Sequence, residues 1–415
     1  MSESPSLDEA TIAALRARIG IPRPSRSARG HVEIVNTDSI RHFALAYGDD
    51  NPLYCDPDHA ASSVWGGPIA PPLFGAIAGR AARSDLSAAD AAALRGDPLA
   101  GLGQVLCGDR WVFLRPIRPA ADILKRQCLD SATLRSSTFG GGVGALVSHR
   151  VEIRDAADGE LFALRYIDFW HTERTRSRSA GKYREVPRPS YSASDLAALD
   201  ALYEQEQVRG VETRRWEDVA VGDSLGPIAK GPLTLTDIIT YHTAIGWGGL
   251  GGGTSKVAYK NRKRVPKLYT PNSLGIPDTS QRCHWDHECA VELGHPAPYD
   301  YGQMRGNWMV HLLTNWMGDG GWIWTLSTVV TKFNYLGDSH RISGRVRAVR
   351  RVGDRGVVDV DVEGINQRGE TTCRATATLL LPVGSEATPA LPHLDDTAVP
   401  EPIGPHADAD TDVDA

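Results

Sequence analysis

The chain has few cysteines, and their positions do not predict disulfide bonds. Six cysteines occur in 415 residues without a recognisable framework spacing, at positions 55, 107, 128, 283, 289 and 373. A small secreted scaffold held together by disulfides is therefore not expected. The pattern instead predicts reduced thiols in a cytoplasmic protein.

Long apolar runs and a strong excess of one charge are also missing. No stretch approaches the roughly 18 continuous apolar residues of a membrane helix. The first ten residues, MSESPSLDEA, lack the apolar core of a signal peptide. The formal net charge of −6 gives no global reason to bind nucleic acid or an anionic membrane. We therefore expect neither nucleic acid nor a membrane among the partners.

The chain does contain two successive blocks in which a helical segment is followed by several strands. The first block ends in runs such as GALVSHRVEI and ELFALRYIDFWH, and the second in runs such as VVDVDVEGINQ and TTCRATATLLLP. We predict five segments: an N-terminal helix in 1–30, a first unit in 31–171, a linker and helix in 172–210, a second unit in 211–383, and a disordered acidic tail in 384–415.

The two blocks can be aligned with each other, which indicates a duplicated fold. TDSIRHFALAYGDDNPLY (37–54) matches TLTDIITYHTAIG (234–246) at one constant offset. NPLYCDPDHAASSVWGGPIAPP (51–72) matches QRCHWDHECAVELGHPAPYDYG (281–302) at a larger constant offset. Because the offset grows between the two matches, the second unit must carry an insertion, which occupies 247–278.

The stretch YGDDNPLYCDPDHAASSVWGGPIAPP closely resembles the hydratase motif of MaoC-like dehydratases and R-specific enoyl-CoA hydratases. That motif contains G-D-x-N-P, an apolar residue, H-x-D, an alanine and I-A-H-G. HWDHECAVELGHPAPYDYG carries the H-x-D, alanine and glycine part of it. The resemblance implies an α+β double hot-dog fold, in which two antiparallel sheets each wrap a central helix. It covers about 31–171 and 211–383.

The family's mechanism, as the resemblance implies it, needs a histidine with a carboxylate near it, a backbone N–H at the start of the central helix, and a tunnel for the acyl chain. The first unit has Tyr54 at the histidine position and Pro72 at the glycine position. Tyrosine is a poor base at neutral pH, and proline has no N–H to donate. The resemblance therefore implies that the first unit is non-catalytic and shapes the tunnel.

The second unit has the two groups that the first unit lacks. His284 occupies the histidine position, and Gly302 follows it at the same spacing at which Pro72 follows Tyr54. Residues 303–317 after this glycine have the spacing of a central helix. His284 is thus the predicted acid/base, and the N–H of Gly302 the predicted donor to the thioester oxygen.

The carboxylate of the motif is less clearly matched in the second unit. Asp49, which holds that position in the first unit, aligns with Thr279 or Trp247, and Asp278 lies one position away. Asp278 is the predicted partner of His284 if the backbone bulges by one residue. Thr279, Asp286 or a bound water is the alternative. Asp49, Tyr54 and Asp286 are candidate substrate-binding residues.

Two other features allow more than one interpretation. QRCHWDHECA (281–290) is rich in potential ligands, but no second CxxC or HxxxH completes a metal site, so we expect no metal there. The insertion is basic, and it either contacts the phosphates of coenzyme A or is a solvated loop. Its GGLGGG run predicts a flexible lid. The basic candidates are Lys260, Arg262, Lys263 and Arg264.

These features predict a MaoC-like enoyl-CoA hydratase or 3-hydroxyacyl-CoA dehydratase. The substrate would be an acyl-CoA or acyl-carrier-protein thioester, and the only coenzyme would be the coenzyme A of the substrate. We expect a homodimer or a pseudo-dimeric monomer. A hot-dog acyl-CoA thioesterase and a non-catalytic acyl-thioester-binding subunit are the alternatives.

Overall fold

The computed structural model describes residues 7–23, 31–83, 85–137, 142–173, 186–246 and 253–403. Most of its strands belong to one ten-stranded sheet, and two short strands form a separate hairpin. The strands are β1 Arg80–Ala81, β2 Gly103–Phe113, β3 Ile123–Ser137, β4 Gly142–Asp155, β5 Leu161–Thr172, β6 Ser224–Lys230, β7 Tyr269–Pro271, β8 Pro277–Thr279, β9 Trp322–Val330, β10 His340–Val352, β11 Arg355–Asn366 and β12 Thr371–Leu381.

The large sheet consists of two half-sheets joined edge to edge. The strand order is β1-β3-β4-β5-β2 for the first unit, continued by β9-β12-β11-β10-β6 for the second. The two halves meet where β2 pairs antiparallel with β9, with Trp111 opposite Leu326. Every pairing in this sheet is antiparallel except β1 with β3. In each unit the four long strands follow the helical segments, as predicted, whereas the edge strand β6 precedes the helices of the second unit.

The helices are short apart from one that lies inside the second unit. They are α1 Glu9–Arg16, α2 Thr37–Leu45, α3 Pro52–Cys55, α4 Pro57–Ser62, α5 Ala88–Ala93, α6 Ala193–Glu204, α7 Leu235–Ala244, α8 Ser255–Arg264, α9 His287–Glu292 and α10 Gly302–Met317. None of the described helices is long and apolar enough to cross a membrane.

The central helix α10 organises the core of the second unit. Every residue from Met304 to Met317 is buried, so the helix is enclosed on all sides rather than on one face. It contacts β9, β10, β11 and β12 of its own unit and β2 of the first. This arrangement confirms the double hot-dog fold, with the sheet wrapped around a helix that both units help to bury.

The structure bears out the internal repeat at its helix boundaries. Helices α2 and α7 begin at aligned positions of the repeat, and each starts with a capping box, from Asn36 and from Thr234. Helices α4 and α9 begin and end at aligned positions and are capped by Asp56 and Asp286. The same local signals therefore start the same elements in both units, as expected for a duplicated fold.

The first unit differs from the second because its central helix is reduced to one short turn. Pro72, the counterpart of Gly302, begins the 3₁₀ turn Pro72–Ala76. The chain then reaches Gly79, whose φ of +89° favours glycine. A Cβ there would lie 2.5 Å from the Cγ2 atom of Ile123. This close turn onto β3 leaves no room for a long helix to continue.

The sequence predicts a disordered C-terminal segment, but the part that the structure describes has a defined conformation. Residues 384–403 lie against the sheet: Trp324 donates to Thr397, Arg110 to the Pro400 carbonyl and Ser327 to the Glu401 carbonyl. These hydrogen bonds hold the segment although it has few apolar residues. Positions 404–415 of the predicted tail, 174–185 of the linker and 247–252 of the predicted glycine-rich lid lie outside the described residues.

Candidate active site

His284 ends a 3₁₀ turn, Ser280–His284, that precedes α9. Its Nδ1 lies 2.8 Å from the carbonyl oxygen of Tyr299. Since that oxygen only accepts hydrogen bonds, Nδ1 carries the proton and Nε2 carries the free lone pair. Burial lowers the pKa of His284 to about 4. The ring is therefore neutral near pH 7, with Nε2 as its unprotonated nitrogen.

Gly302 directly follows Tyr301, whose ring packs against His284. The ring of His284 is 3.8 Å, centroid to centroid, from the ring of Tyr301, the N-cap residue of α10. Tyr301 makes no side-chain cap hydrogen bond to the helix. The first N–H groups of α10 thus have no side-chain acceptor from this residue, and they lie at the positive end of the helix dipole. The structure therefore places the ring of His284 against Tyr301, the residue that directly precedes Gly302.

A narrow apolar cavity adjoins the start of α10. Gly302 and Gly306 line it on the helix side, and Leu73, Leu106 and Trp111 of the first unit line it on the other side. A Cβ at Gly302 would lie 3.4 Å from the Cγ2 atom of Val330 and 3.5 Å from the Cδ2 atom of Leu106, which is ordinary van der Waals contact. Residues of both units therefore build this cavity.

His242, on α7, belongs to the same site and was not identified from the sequence. Its Nδ1 lies 2.7 Å from the hydroxyl oxygen of Tyr301, and its ring packs edge-on against Trp285. Burial strongly raises the pKa of Tyr301, so the hydroxyl that is hydrogen-bonded to His242 is neutral. The alignment of the two units could have pointed to this residue. His242 aligns with Ala44, so at this position only the second unit has a side chain that can exchange a proton.

The predicted carboxylates do not contact His284 in the part of the chain that the structure describes. The carboxylate of Asp278, on the β7–β8 hairpin, accepts a hydrogen bond of 2.7 Å from the N–H of Thr279. Asp286 caps α9 through the N–H of Cys289 and pairs with Arg282 at 3.2 Å. The imidazole is held instead by a backbone carbonyl, a contact that no side-chain motif reveals.

The first unit places its counterpart residues where they cannot transfer a proton. Tyr54 is buried, and burial raises its pKa well above 10, with the nearby Asp49 as the second cause. Pro72 has no N–H at the start of its turn. That the first unit is non-catalytic stays a prediction, which substitution of Tyr54 can test.

Asp49 contributes to a buried polar cluster between the units. Its carboxylate accepts from the hydroxyl of Tyr47 at 3.1 Å and lies 3.5 Å from Nε2 of His311, on the central helix. The same Nε2 is 2.9 Å from Glu206, and Nδ1 of His311 is 2.6 Å from Nζ of Lys230. Burial lowers the pKa of Lys230 to about 8. We name Asp49, Glu206, Lys230 and His311 the interunit cluster, since it joins the first motif to α10.

The basic residues of the insertion are grouped on α8. The helix has no buried residue, and Lys263 and Arg262 lie 4.8 and 5.7 Å from the ring of Tyr259. Arg264 donates to Asn261 at 3.2 Å, and Lys260 is exposed on the same helix. The insertion thus presents a compact, exposed, positively charged helix followed by the hairpin that carries Asp278.

The two cysteines near His284 are thiols rather than thiolates. Burial raises the pKa of Cys283 to about 11, and it also raises that of Cys289. Cys283 accepts a hydrogen bond from the hydroxyl of Tyr299. In the described ranges, no three histidine, cysteine or acidic side chains are placed to hold a metal ion. The ligand-rich segment therefore contributes an imidazole and a helix cap.

Comparison with known proteins gives a matching family model, a curated relative and similar solved structures. A family model described as the FAS1-like dehydratase domain region matches residues 26–163. A UPF0336 protein of Streptomyces avermitilis is 33% identical over 127 residues, which are 30% of this chain and 75% of the relative. A solved MaoC-like dehydratase superposes with a TM-score of 0.58 at 18% identity, covering 89% of this chain and all of the other.

A second solved structure extends the fold comparison. A putative MaoC domain protein dehydratase from Chloroflexus aurantiacus superposes with a TM-score of 0.50 at 13% identity, over 88% of this chain and 96% of its own. The family model lies in the first unit, whereas both superpositions extend over both units. The duplicated arrangement is therefore shared with solved proteins over nearly their whole length.

Proposed function

Because this chain belongs to the MaoC-like dehydratase family, we propose that it catalyses the reversible addition of water to a 2-enoyl thioester. The product would be the 3-hydroxyacyl thioester, in the R configuration by resemblance to the family. One observation carries the proposal. The neutral imidazole of His284, unprotonated at Nε2, packs on Tyr301, and the next residue, Gly302, begins a buried helix and lines an apolar cavity.

Gly302 supplies the electrostatic part of the proposed reaction. Water adds at the β-carbon, and the thioester oxygen gains negative charge as the enolate-like intermediate forms. The Gly302 N–H donates to that oxygen, assisted by the dipole of α10. One such donor contributes about 3 kcal/mol to transition-state stabilisation. The absence of a side chain at Gly302 lets the thioester approach the backbone closely.

His284 supplies the proton transfer. Its Nε2 takes a proton from the attacking water while Nδ1–H keeps its hydrogen bond to Tyr299, which fixes the tautomer. The proton then returns to the α-carbon, and dehydration follows the same steps in reverse. We propose His242 as a positioning residue, because its hydrogen bond fixes the Tyr301 ring that packs on His284.

The role of Asp278 stays a prediction that substitution can test. If it is the partner of His284, Asp278→Asn should lower kcat by at least about 100-fold, as expected when a proton-transfer pair is disabled. If the carbonyl of Tyr299 alone orients the ring, as the geometry favours, kcat should change by less than about tenfold. Glu288→Gln is the matched control, because it also removes a negative charge close to this turn, from an exposed side chain of α9.

The substrate is proposed to be a coenzyme A thioester, whose phosphates the exposed basic helix α8 can bind. We propose no metal or redox cofactor, since proton transfer and one hydrogen-bond donor suffice for this reaction. A cytoplasmic location and a homodimer or pseudo-dimeric monomer are part of the same proposal. Residues of both units line the cavity beside Gly302, so a single chain is enough to build it.

A direct assay tests the proposed reaction. Crotonyl-CoA and longer 2-enoyl-CoA thioesters are incubated with the full chain, and enoyl absorbance and free thiol are followed in parallel. A hydratase consumes the enoyl absorbance without releasing thiol. Release of thiol would instead identify a thioesterase. Tight binding of acyl-CoA without either change would identify a non-catalytic acyl-thioester-binding protein. The observation that favours this alternative is that neither predicted carboxylate contacts His284 in the described part of the chain.

A further inference from the structure

The first unit contains a second cavity at the far end of α10. It is lined by Tyr54, Pro72 and Phe113 of the first unit and by Thr314, Asp319 and Trp322 of the second. Helix α10 has 16 residues and is therefore about 24 Å long at about 1.5 Å per residue. This first-unit cavity is therefore separate from the one that adjoins Gly302.

Most of the lining of the first-unit cavity is apolar, and its polar side chains are few. Ile69, Phe162 and Ile323 belong to the walls. The hydroxyl of Tyr54 is hydrogen-bonded to Thr314. The guanidinium of Arg115 lies over the Phe162 ring and pairs with Asp158 outside the cavity. Asp319 is the acidic side chain of the described lining, and Nε of Arg115 is a buried donor without a hydrogen-bond partner among the described residues.

Asp319 is held rigidly from three sides. Its N–H donates to the carbonyl of Gly210 at 2.8 Å, and its carbonyl accepts from the indole of Trp65 at 2.6 Å. Its Oδ2 lies 2.8 Å from Nε2 of His59. The side chain is only 1% exposed, and its Oδ1 has no hydrogen-bond partner among the described residues. A buried, immobilised acceptor is thus unsatisfied at the cavity.

We propose that the first-unit cavity binds a neutral apolar molecule that ends in a hydroxyl group. An unsatisfied buried acceptor costs about 1–3 kcal/mol, which a donor from a ligand removes. The apolar walls take the hydrocarbon part of such a molecule. A molecule ending in a carboxylate is disfavoured, because its charge would lie against the carboxylate of Asp319 at low dielectric.

The site is a binding site rather than a second catalytic centre. Tyr54 and Pro72 line it where a base and an N–H donor would be required for hydration. The motif of the first unit therefore keeps its cavity after losing both catalytic groups. This inference does not depend on the proposed hydratase activity, because none of the groups involved takes part in that reaction.

Isothermal titration calorimetry on the full chain with 1-hexanol and hexanoate tests the proposal. We expect hexanol to bind at least about tenfold more tightly than hexanoate, which corresponds to one buried hydrogen bond. Asp319→Ala should weaken hexanol binding about tenfold. Asp319→Asn keeps an acceptor but removes the charge, so it should bind hexanoate more tightly than the wild type does.

Two further variants locate the binding. Ala163→Leu adds volume to the cavity wall and should weaken hexanol binding, whereas His284→Ala should leave it unchanged. If Asp319→Ala does not fold, Asp319→Asn and the comparison of the two ligands still decide the question. Equal binding of hexanol and hexanoate by the wild type, or loss of hexanol binding in His284→Ala, would overturn the proposal.

Discussion

Replacing Gly302 by proline isolates the contribution of a single N–H group. Proline is compatible with the first position of a helix, where its missing N–H breaks no bond within the helix. The preceding residue, Tyr301, has φ −83° and ψ 122°, the extended conformation that a following proline requires. The backbone should therefore accept the substitution, while the donor to the thioester oxygen is removed.

The expected magnitude follows from the loss of one oxyanion donor. Gly302→Pro should lower kcat by about 10²–10³-fold, or about 2.7–4 kcal/mol, with little change in Tm. Gly302→Ala is the matched control: its Cβ would meet Val330 and Leu106 at ordinary contact distances, and it keeps the N–H. Steady-state kinetics with a 2-enoyl-CoA and a thermal melt measure both effects. Normal turnover in the proline variant, or an equal loss in the alanine variant, would refute the role of this N–H.

Three further predictions concern other parts of the molecule. Tyr54→Phe should leave kcat within a few-fold, because no proton transfer depends on its hydroxyl; a loss of turnover would make the first unit catalytic. The value of kcat/KM should be constant from pH 7 down to about 5 and fall as pH drops through about 4, where His284 becomes protonated; a decline centred near pH 6.5 would contradict its burial. Neutralising the basic run of α8 should raise KM for a CoA thioester more than for a pantetheine thioester; equal effects would show that the run is only solvated. The residues changed in that last test are Arg262, Lys263 and Arg264.

Much of the fold could be predicted from local sequence signals. Helices α2 and α7 lie in the two stretches that the internal repeat aligns, and the spacing of residues 303–317 predicts the central helix that the structure shows at Gly302–Met317. Period-two alternation in the sequence also predicts strands such as β11. It does not predict the edge strand β6, because the β6 sequence SLGPIAK contains a glycine and a proline that are typical of turns.

The parts of the site that the sequence did not predict are contacts between distant segments. The Nδ1 of His284 binds a backbone carbonyl, which has no side-chain pattern. His242 reaches Tyr301 from a helix 59 residues away in the chain. Lys230 and His311 of the interunit cluster are 81 residues apart. Such contacts depend on how the sheet closes around α10, and local periodicity does not encode that.

The most direct test of the central claim, that the second unit carries out the chemistry, is the turnover of a 2-enoyl-CoA by His284→Ala. We predict a loss in kcat of at least about 100-fold relative to the wild type, with an unchanged thermal melt, because the base at Nε2 is removed. Near-normal turnover by His284→Ala, together with its abolition in Tyr54→Phe, would contradict the account and assign catalysis to the first unit, with Asp49 as its carboxylate.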